Sequence, residues 1–383
     1  MNNRWNTMMA MSLILVLFPL QVSATDLTIG TRAEPAVDPH FLFVATNIAY
    51  SRHLFDALLN TDENAQPVPG LAVSWRPVAD KSWEFKLREG VKFHDGSNFT
   101  AEDVVFSINR ITAIPNNPNP YTPLIRTIET VEAVDPQTVR IQTKTIDPVL
   151  PKSLSSIFIV SQKAAKDALP PDFRSGKAAI GTGPYRFVSY APGDRLILKR
   201  NDTYWGGRQP WEKVTFRVMS NNASRIAALR SGDISVVGAI APNDVAVLER
   251  DPNINLFKRP SDRVIYIILD VGRDRSPYVT DTKGKAMNKN PLKDVRVRKA
   301  LSLAIDRRAI VSAVMEGLAE PAGQLVPKGI KGHNPSVDES GYDLKQAKAL
   351  LAQAGWEKGF GLTLHGPNNR YVNDARVLET IGQ

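Results

Sequence analysis

From Ala24 onward, short stretches in which apolar and polar residues alternate are interleaved with stretches whose apolar residues recur every three or four positions, so strands and helices are mixed along the chain. Leu27 to Thr31 alternates and predicts a first strand. Glu34-Pro35 and Asp38-Pro39 follow, where each proline holds its predecessor extended. Ile48, Phe55, Leu58 and Leu59 keep helical spacing and predict a core-facing helix over 44–59. Short alternating segments at 83–87, 91–93, 128–134 and 139–143 predict a small sheet. One helix interrupts it: Thr100 with Asp103 three residues on forms a capping-box variant, and Val104, Ile108 and Ile111 share a face. Four prolines and three asparagines between 114 and 123 mark a surface excursion.

Further along, 185–190 and 195–199 predict a hairpin over Ala191-Pro192-Gly193-Asp194, with strands at 214–219 and 264–271. Helices are predicted at 223–230, closed by Ser231-Gly232, and from Pro242 to Leu248. After a polar linker at 270–290 comes the strongest helical pattern, Pro291 to Met315, with Val295, Ala300, Leu301, Ala304, Ile305, Ile310 and Val314 on one face. A second such helix spans 341–355 with Leu344, Ala347, Leu350 and Leu351 inward; a strand at 361–364 and a helix at 377–382 follow. Strands alternating with helices predict an α/β fold.

The 383 residues are 43% hydrophobic and 23% charged, enough to bury a core in two or three domains. No apolar run long enough to span a bilayer occurs after the first two dozen positions, which argues against a polytopic membrane protein. Within those positions Arg4, an apolar stretch from Met8 to Leu20 and Val22-Ser23-Ala24 form an export signal, expected to be cleaved near Ala24. The formal net charge is +9, yet no block of Lys and Arg stands out of the kind a nucleic-acid arm carries. Arg296, Arg298, Lys299, Arg307 and Arg308 lie on the polar side of a helix whose other side is core, a solvated face, so no nucleic-acid partner is expected. Cysteine is absent, which excludes a disulfide framework, a thiolate metal site, a cysteine nucleophile and a lipidated N-terminal cysteine. No Gly-x-Ser-x-Gly elbow or His-Glu-x-x-His motif occurs, so a secreted hydrolase would need another arrangement.

The segments 71–75 (Leu-Ala-Val-Ser-Trp), 83–96 (Trp-Glu-Phe-Lys-Leu-Arg-Glu-Gly-Val-Lys-Phe-His-Asp-Gly) and 100–104 (Thr-Ala-Glu-Asp-Val) carry a resemblance that continues through Gly181-Thr182-Gly183-Pro184-Tyr185, Pro192-Gly193-Asp194, Arg200-Asn201, Tyr204-Trp205-Gly206, 294–300 and 304–307. In this order, across nearly all of the chain after the leader, they resemble the family 5 solute-binding proteins of bacterial ABC importers, which include dipeptide, oligopeptide, nickel and haem receptors. The resemblance implies a periplasmic binding protein-like α/β fold of class II, two lobes with an extra inserted domain. It places the signal peptide at 1–24, lobe I at 26–60 and 181–262, a small α/β insert at 61–180, and a partial lobe II at 263–383. The family pattern has further lobe II strands and a crossing back to lobe I, so the second lobe is expected to be incomplete and frayed, as in a fragment, a frameshifted product or a truncated gene.

The implied function is capture of a peptide between the lobes and its delivery to an inner-membrane complex of two permease and two ATP-binding subunits, by a monomer free in the periplasm, with no cofactor and no chemistry on the ligand. Nickel, haem, sugar or opine ligands on the same scaffold are the alternatives. The segment Ala33 to Pro39, with Ala33, Glu34 and Pro35 as candidates, can lie beside an extended peptide and exchange main-chain hydrogen bonds; the competing reading is an ordinary surface loop. Arg370, after a strand and a turn, matches the arginine that holds the ligand carboxylate in dipeptide receptors, and is otherwise a solvated arginine. Glu34 is a secondary polar contact or a solvated carboxylate. His94 has no second histidine at ligand spacing, so it reads as structural. Tyr185 and Trp205 read as packing, and Gly181 and Gly183 as a backbone crossing between domains.

Overall fold

The computed structural model describes residues 26–383 apart from 260, 331, 338–340 and 369; the expected leader and its cleavage point at Ala24 lie outside the described residues. The chain opens with strand β1 (Leu27–Thr31), an irregular segment and helix α1 (Ala45–Leu54). The helix stops five residues short of the expected end, because Phe55 turns extended and sends the chain into the core through Leu58 and Leu59. A small hairpin, β2 (Leu59–Thr61) and β3 (Pro67–Pro69), leads into β4 (Ala72–Ala79) and β5 (Ser82–Leu87). Helix α2 (Ala101–Ala113) starts on the expected capping box, with Asp103 Oδ2 accepting from the Thr100 amide at 3.0 Å. After the short α3 (Thr122–Ile125), β6 (Ile128–Asp135) and β7 (Thr138–Thr143) complete an antiparallel sheet ordered β4-β5-β7-β6. Residues 91–93 do not join it; they enter a tight loop closed by a single bridge between Lys92 and Asn98.

Three short helices follow, α4 (Leu150–Leu154), α5 (Gln162–Ala165) and α6 (Pro170–Arg174). Then come the expected hairpin, β8 (Tyr185–Ala191) and β9 (Arg195–Arg200), strand β10 (Lys213–Val218), helix α7 (Asn222–Ser231), β11 (Val236–Val237) and α8 (Pro242–Leu248). The five-stranded sheet β11-β1-β10-β9-β8 is mixed: β1 runs parallel to both β10 and β11, and the rest is antiparallel. Pairing β1 with β10 brings together segments separated by almost two hundred residues. The core against this sheet joins Tyr50, Leu54, Leu196, Leu198 and Phe216 with Phe158, Val160, Phe173 and Ala178, residues that the family resemblance assigns to the insert. A second core lies between α2 and β5–β7, around Phe85, Val104, Ile108, Val139 and Ile141.

Residues 264–271 form no strand and pair with none among the described residues, and Ile268 is 80% exposed; strand propensity without a partner leaves no ladder. A two-stranded ladder joins β12 (Val279–Thr280) to β13 (Gly361–Leu362). The long helix expected at 291–315 is divided by two capping aspartates. Asp294 accepts from the Arg296 amide and Asp306 from the Ala309 amide. They separate a 3-10 turn (Pro291–Lys293), α9 (Val295–Leu303), α10 (Arg307–Ala309) and a π turn (Ile310–Val314). Val295, at the first position of α9, is consequently 64% exposed instead of facing the core. Helix α11 (Leu344–Gln353) packs Ala347 against Ala300 and Leu303 of α9, while Leu344 stays exposed. The last helix, α12 (Asp374–Gly382), keeps Val377, Leu378 and Ile381 half-buried and is tied to the π turn by Asn373 Nδ2, which donates to the Val314 carbonyl at 2.8 Å.

Candidate functional site

Beyond β1 the chain enters the segment singled out by its sequence, and its shape is set by buried polar bonds. The Asp38 amide donates to the Ala36 carbonyl at 2.7 Å, closing a three-residue turn around Val37, whose φ of 56° is unfavourable for a β-branched residue. Asn47 of α1 and an ion pair hold this strain: Asn47 Oδ1 accepts from the Ala36 amide at 3.1 Å. Arg110 of α2 makes a two-pronged contact with Asp38, at 2.9 and 2.7 Å, with both side chains buried. Asp38 Oδ1 also accepts from the His40 amide at 3.0 Å. Arg110 donates to His40 Nδ1 at 3.2 Å, so His40 carries its proton on Nε2 and donates it to the Phe158 carbonyl at 2.7 Å. Burial and then the Arg110 charge bring the His40 imidazole down to about 4, keeping it neutral near pH 7.

Nearer the strand, the Ala33 carbonyl accepts from Tyr50 Oη at 2.5 Å and Thr31 Oγ1 at 3.0 Å. Among the described residues the amides of Ala33 and Glu34 have no hydrogen-bond partner, so the segment presents two free donors on a fixed frame. Pro35 is buried. The Glu34 carboxylate turns to the β8–β9 hairpin, accepting from Tyr190 Oη and from the Gly193 amide.

The return of the chain at 181–183 is packed without space for a side chain. A Cβ on Gly181 would lie 2.0 Å from the Leu54 carbonyl oxygen, and one on Gly183 2.5 Å from the Leu54 carbonyl carbon. Both His94 ring nitrogens serve this crossing, Nε2 with the Gly183 carbonyl at 3.0 Å and Nδ1 with the Gly181 amide at 3.3 Å. Burial brings His94 to about 4. Asp56 beside it is buried and accepts from Thr182 Oγ1, Tyr204 Oη and Trp205 Nε1 at 2.8 to 3.0 Å, and burial raises its pKa in spite of those donors. Among the described residues no group of three or more His, Asp or Glu is placed to hold a metal ion.

Arg370 lies beyond β13, exposed. Its amide and that of Tyr371 donate to Asp374 Oδ2 at 2.8 and 2.9 Å, and its Nε donates to Tyr371 Oη at 3.1 Å. The guanidinium carbons of Arg370 and Arg263 each stand 5.3 Å from the Tyr371 ring centre. Arg32, at the end of β1, completes the group: its pKa is lowered by burial first, then by the charge of Arg263, with Asp374 raising it and Arg370 lowering it. The structure thus brings Arg370 and the Ala33 segment to one locality through Arg32 and sends Glu34 elsewhere. Arg32 and Arg263 were not anticipated; Arg32 borders the candidate segment, whereas Arg263 carries no local signal in the sequence.

Residues 66–383 match the family model described as bacterial extracellular solute-binding proteins, family 5. Among curated relatives, the dipeptide-binding protein of Escherichia coli K12 is 31% identical over 344 residues, covering 84% of this chain and 60% of its own length. Haem-binding protein A of Haemophilus influenzae is 28% identical, covering 92% and 69% respectively. Among solved structures, the periplasmic binding protein DppA of Helicobacter pylori, in complex with the peptide STSA, aligns with a TM-score of 0.70 at 26% identity over 88% of this chain and 67% of that one. The chain therefore spans about 60% of the length of the dipeptide-binding relative.

Proposed function

Since the chain belongs to family 5 of the bacterial extracellular solute-binding proteins, we propose that it captures peptides outside the inner membrane for import by an ABC transporter. In this reading residues 1–24 direct export to the periplasm and are removed near Ala24. The mature monomer delivers its ligand to two permease and two ATP-binding subunits. No bond of the ligand is made or broken; the work is binding and closure of two lobes around it.

The observation that carries the proposal is the pairing of two kinds of donor in one place. The free amides of Ala33 and Glu34, beside Pro35, can bond an extended peptide backbone, and the Arg370 guanidinium, whose terminal nitrogens are uncommitted among the described residues, can take the terminal carboxylate in two parallel hydrogen bonds. Glu34 contributes by holding the hairpin turn at Gly193 against the segment.

Isothermal titration of the purified protein with di- and tripeptides tests this. Binding with an Arg370→Ala loss of about tenfold to a hundredfold is expected for a charge-assisted bond. Failure of every peptide to bind refutes it.

A further inference from the structure

The three guanidiniums of Arg32, Arg263 and Arg370 share their surroundings with one carboxylate, that of Asp374, and this carboxylate already accepts from the amides of Arg370, Tyr371 and Ala375. None of the three arginines takes part in an ion pair among the described residues. Among the described residues the guanidiniums of Arg32 and Arg263 have no hydrogen-bond partner, although Arg32 is half-buried. Arginines cannot relieve such crowding by losing a proton at physiological pH, so the locality keeps an excess of about two positive charges. One terminal carboxylate neutralises half of that excess. The remaining donors, Arg32 beside the free amides of Ala33 and Glu34 and Arg263 across the Tyr371 ring, suit a second anionic group.

We infer that the preferred ligand is a short peptide carrying two carboxylates, its terminal one on Arg370 and an acidic side chain on Arg32 and Arg263. This rests on the peptide reading above and narrows its substrate class.

The test compares matched pairs differing by one charge at nearly constant shape, Ala-Glu with Ala-Gln and Ala-Ala-Glu with Ala-Ala-Gln, by titration calorimetry at low and at physiological salt. The acidic member of at least one pair is expected to bind tenfold or more tightly, with an advantage that shrinks as salt rises. Arg32→Gln and Arg263→Gln are each expected to reduce that advantage several-fold while leaving the affinity for the neutral member within about twofold. Equal binding of acidic and neutral members overturns the inference and leaves the peptide reading standing, as does an acidic preference that survives in both variants. Inorganic phosphate or succinate binding as tightly as the acidic peptide also overturns it, since the site would then read bare charge. If no peptide binds, both readings fall.

Discussion

Arg110→Met removes the charge that holds the Ala33–Pro39 segment while preserving the length and apolar bulk of the side chain that lies over the Phe173 ring, 4.6 Å from its centre. Asp38 has no exposed side-chain surface, and without Arg110 its carboxylate keeps, among the described residues, only the His40 amide as a donor. Leaving one partner of a buried ion pair uncompensated destabilises by about 3–5 kcal/mol. With a urea slope of about 2–3 kcal/mol per M, the unfolding midpoint should fall by about 1–2 M, read by tryptophan fluorescence. An internal control comes from His40. Arg110 is the charge that disfavours its protonation and Asp38 the charge that favours it, so in the variant His40 can accept a proton and replace the lost cation. The deficit relative to the unmodified protein should therefore be larger at pH 8 than at pH 5. Asp38→Asn combined with Arg110→Met should recover part of the loss, because no bare charge then remains buried. A midpoint shift below about 0.3 M, or a deficit that grows on acidification, would refute the assignment of the ion pair as a principal tie of this turn.

Three further outcomes follow from the same geometry. His40 and His94 sit at about 4 in the folded protein against 6.5 when unfolded, so the unfolded chain binds more protons between those values; stability should be full above about pH 6.5 and decline by several kcal/mol towards pH 4, measured by urea titration across that range. Gly181→Ala should lower the melting temperature by many degrees, because the new methyl meets the Leu54 carbonyl, whereas Gly238→Ala, with open space around it and no positive φ, should leave it unchanged in differential scanning calorimetry. Asp103→Ala removes the capping box and the acceptor of the Gln162 amide at 2.9 Å, and should cost about 1–2 kcal/mol by chemical denaturation.

Where a structural decision was local, the sequence was legible. The Thr100–Asp103 box, the Pro-Gly turn between β8 and β9 and the Gly232 left-handed cap all lie within a few residues of the element they shape. The division of 291–315 was also written locally, in Asp294 and Asp306, but apolar periodicity runs through both and conceals them. What no short window contains is pairing over distance. Residues 264–271 have strand character, yet a strand exists only with a neighbour, and Phe158 to Ala178 joins the core of the β1–β11 sheet through packing and through bonds to residues as distant as His40 and Asp56. The candidate site divides in the same way. Arg370 and the proline-flanked segment stood out through family resemblance and backbone restriction, whereas the grouping of Arg32, Arg263 and Arg370 depends on three segments meeting.

The guanidinium of Arg110 belongs to a helix that packs on the β4–β7 sheet, yet its grip lies on a turn that leaves the other sheet. Splicing residue 60 directly to residue 181 would leave Asp38 without its counter-ion, and the Val37 turn would then depend on Asn47 of α1, whose Oδ1 accepts from the Ala36 amide at 3.1 Å. If the neighbouring segment meets the ligand as proposed, the region around α2 is a silent editor of recognition: substitutions that lean on α2 would retune which guests that segment accepts without altering any residue that meets them.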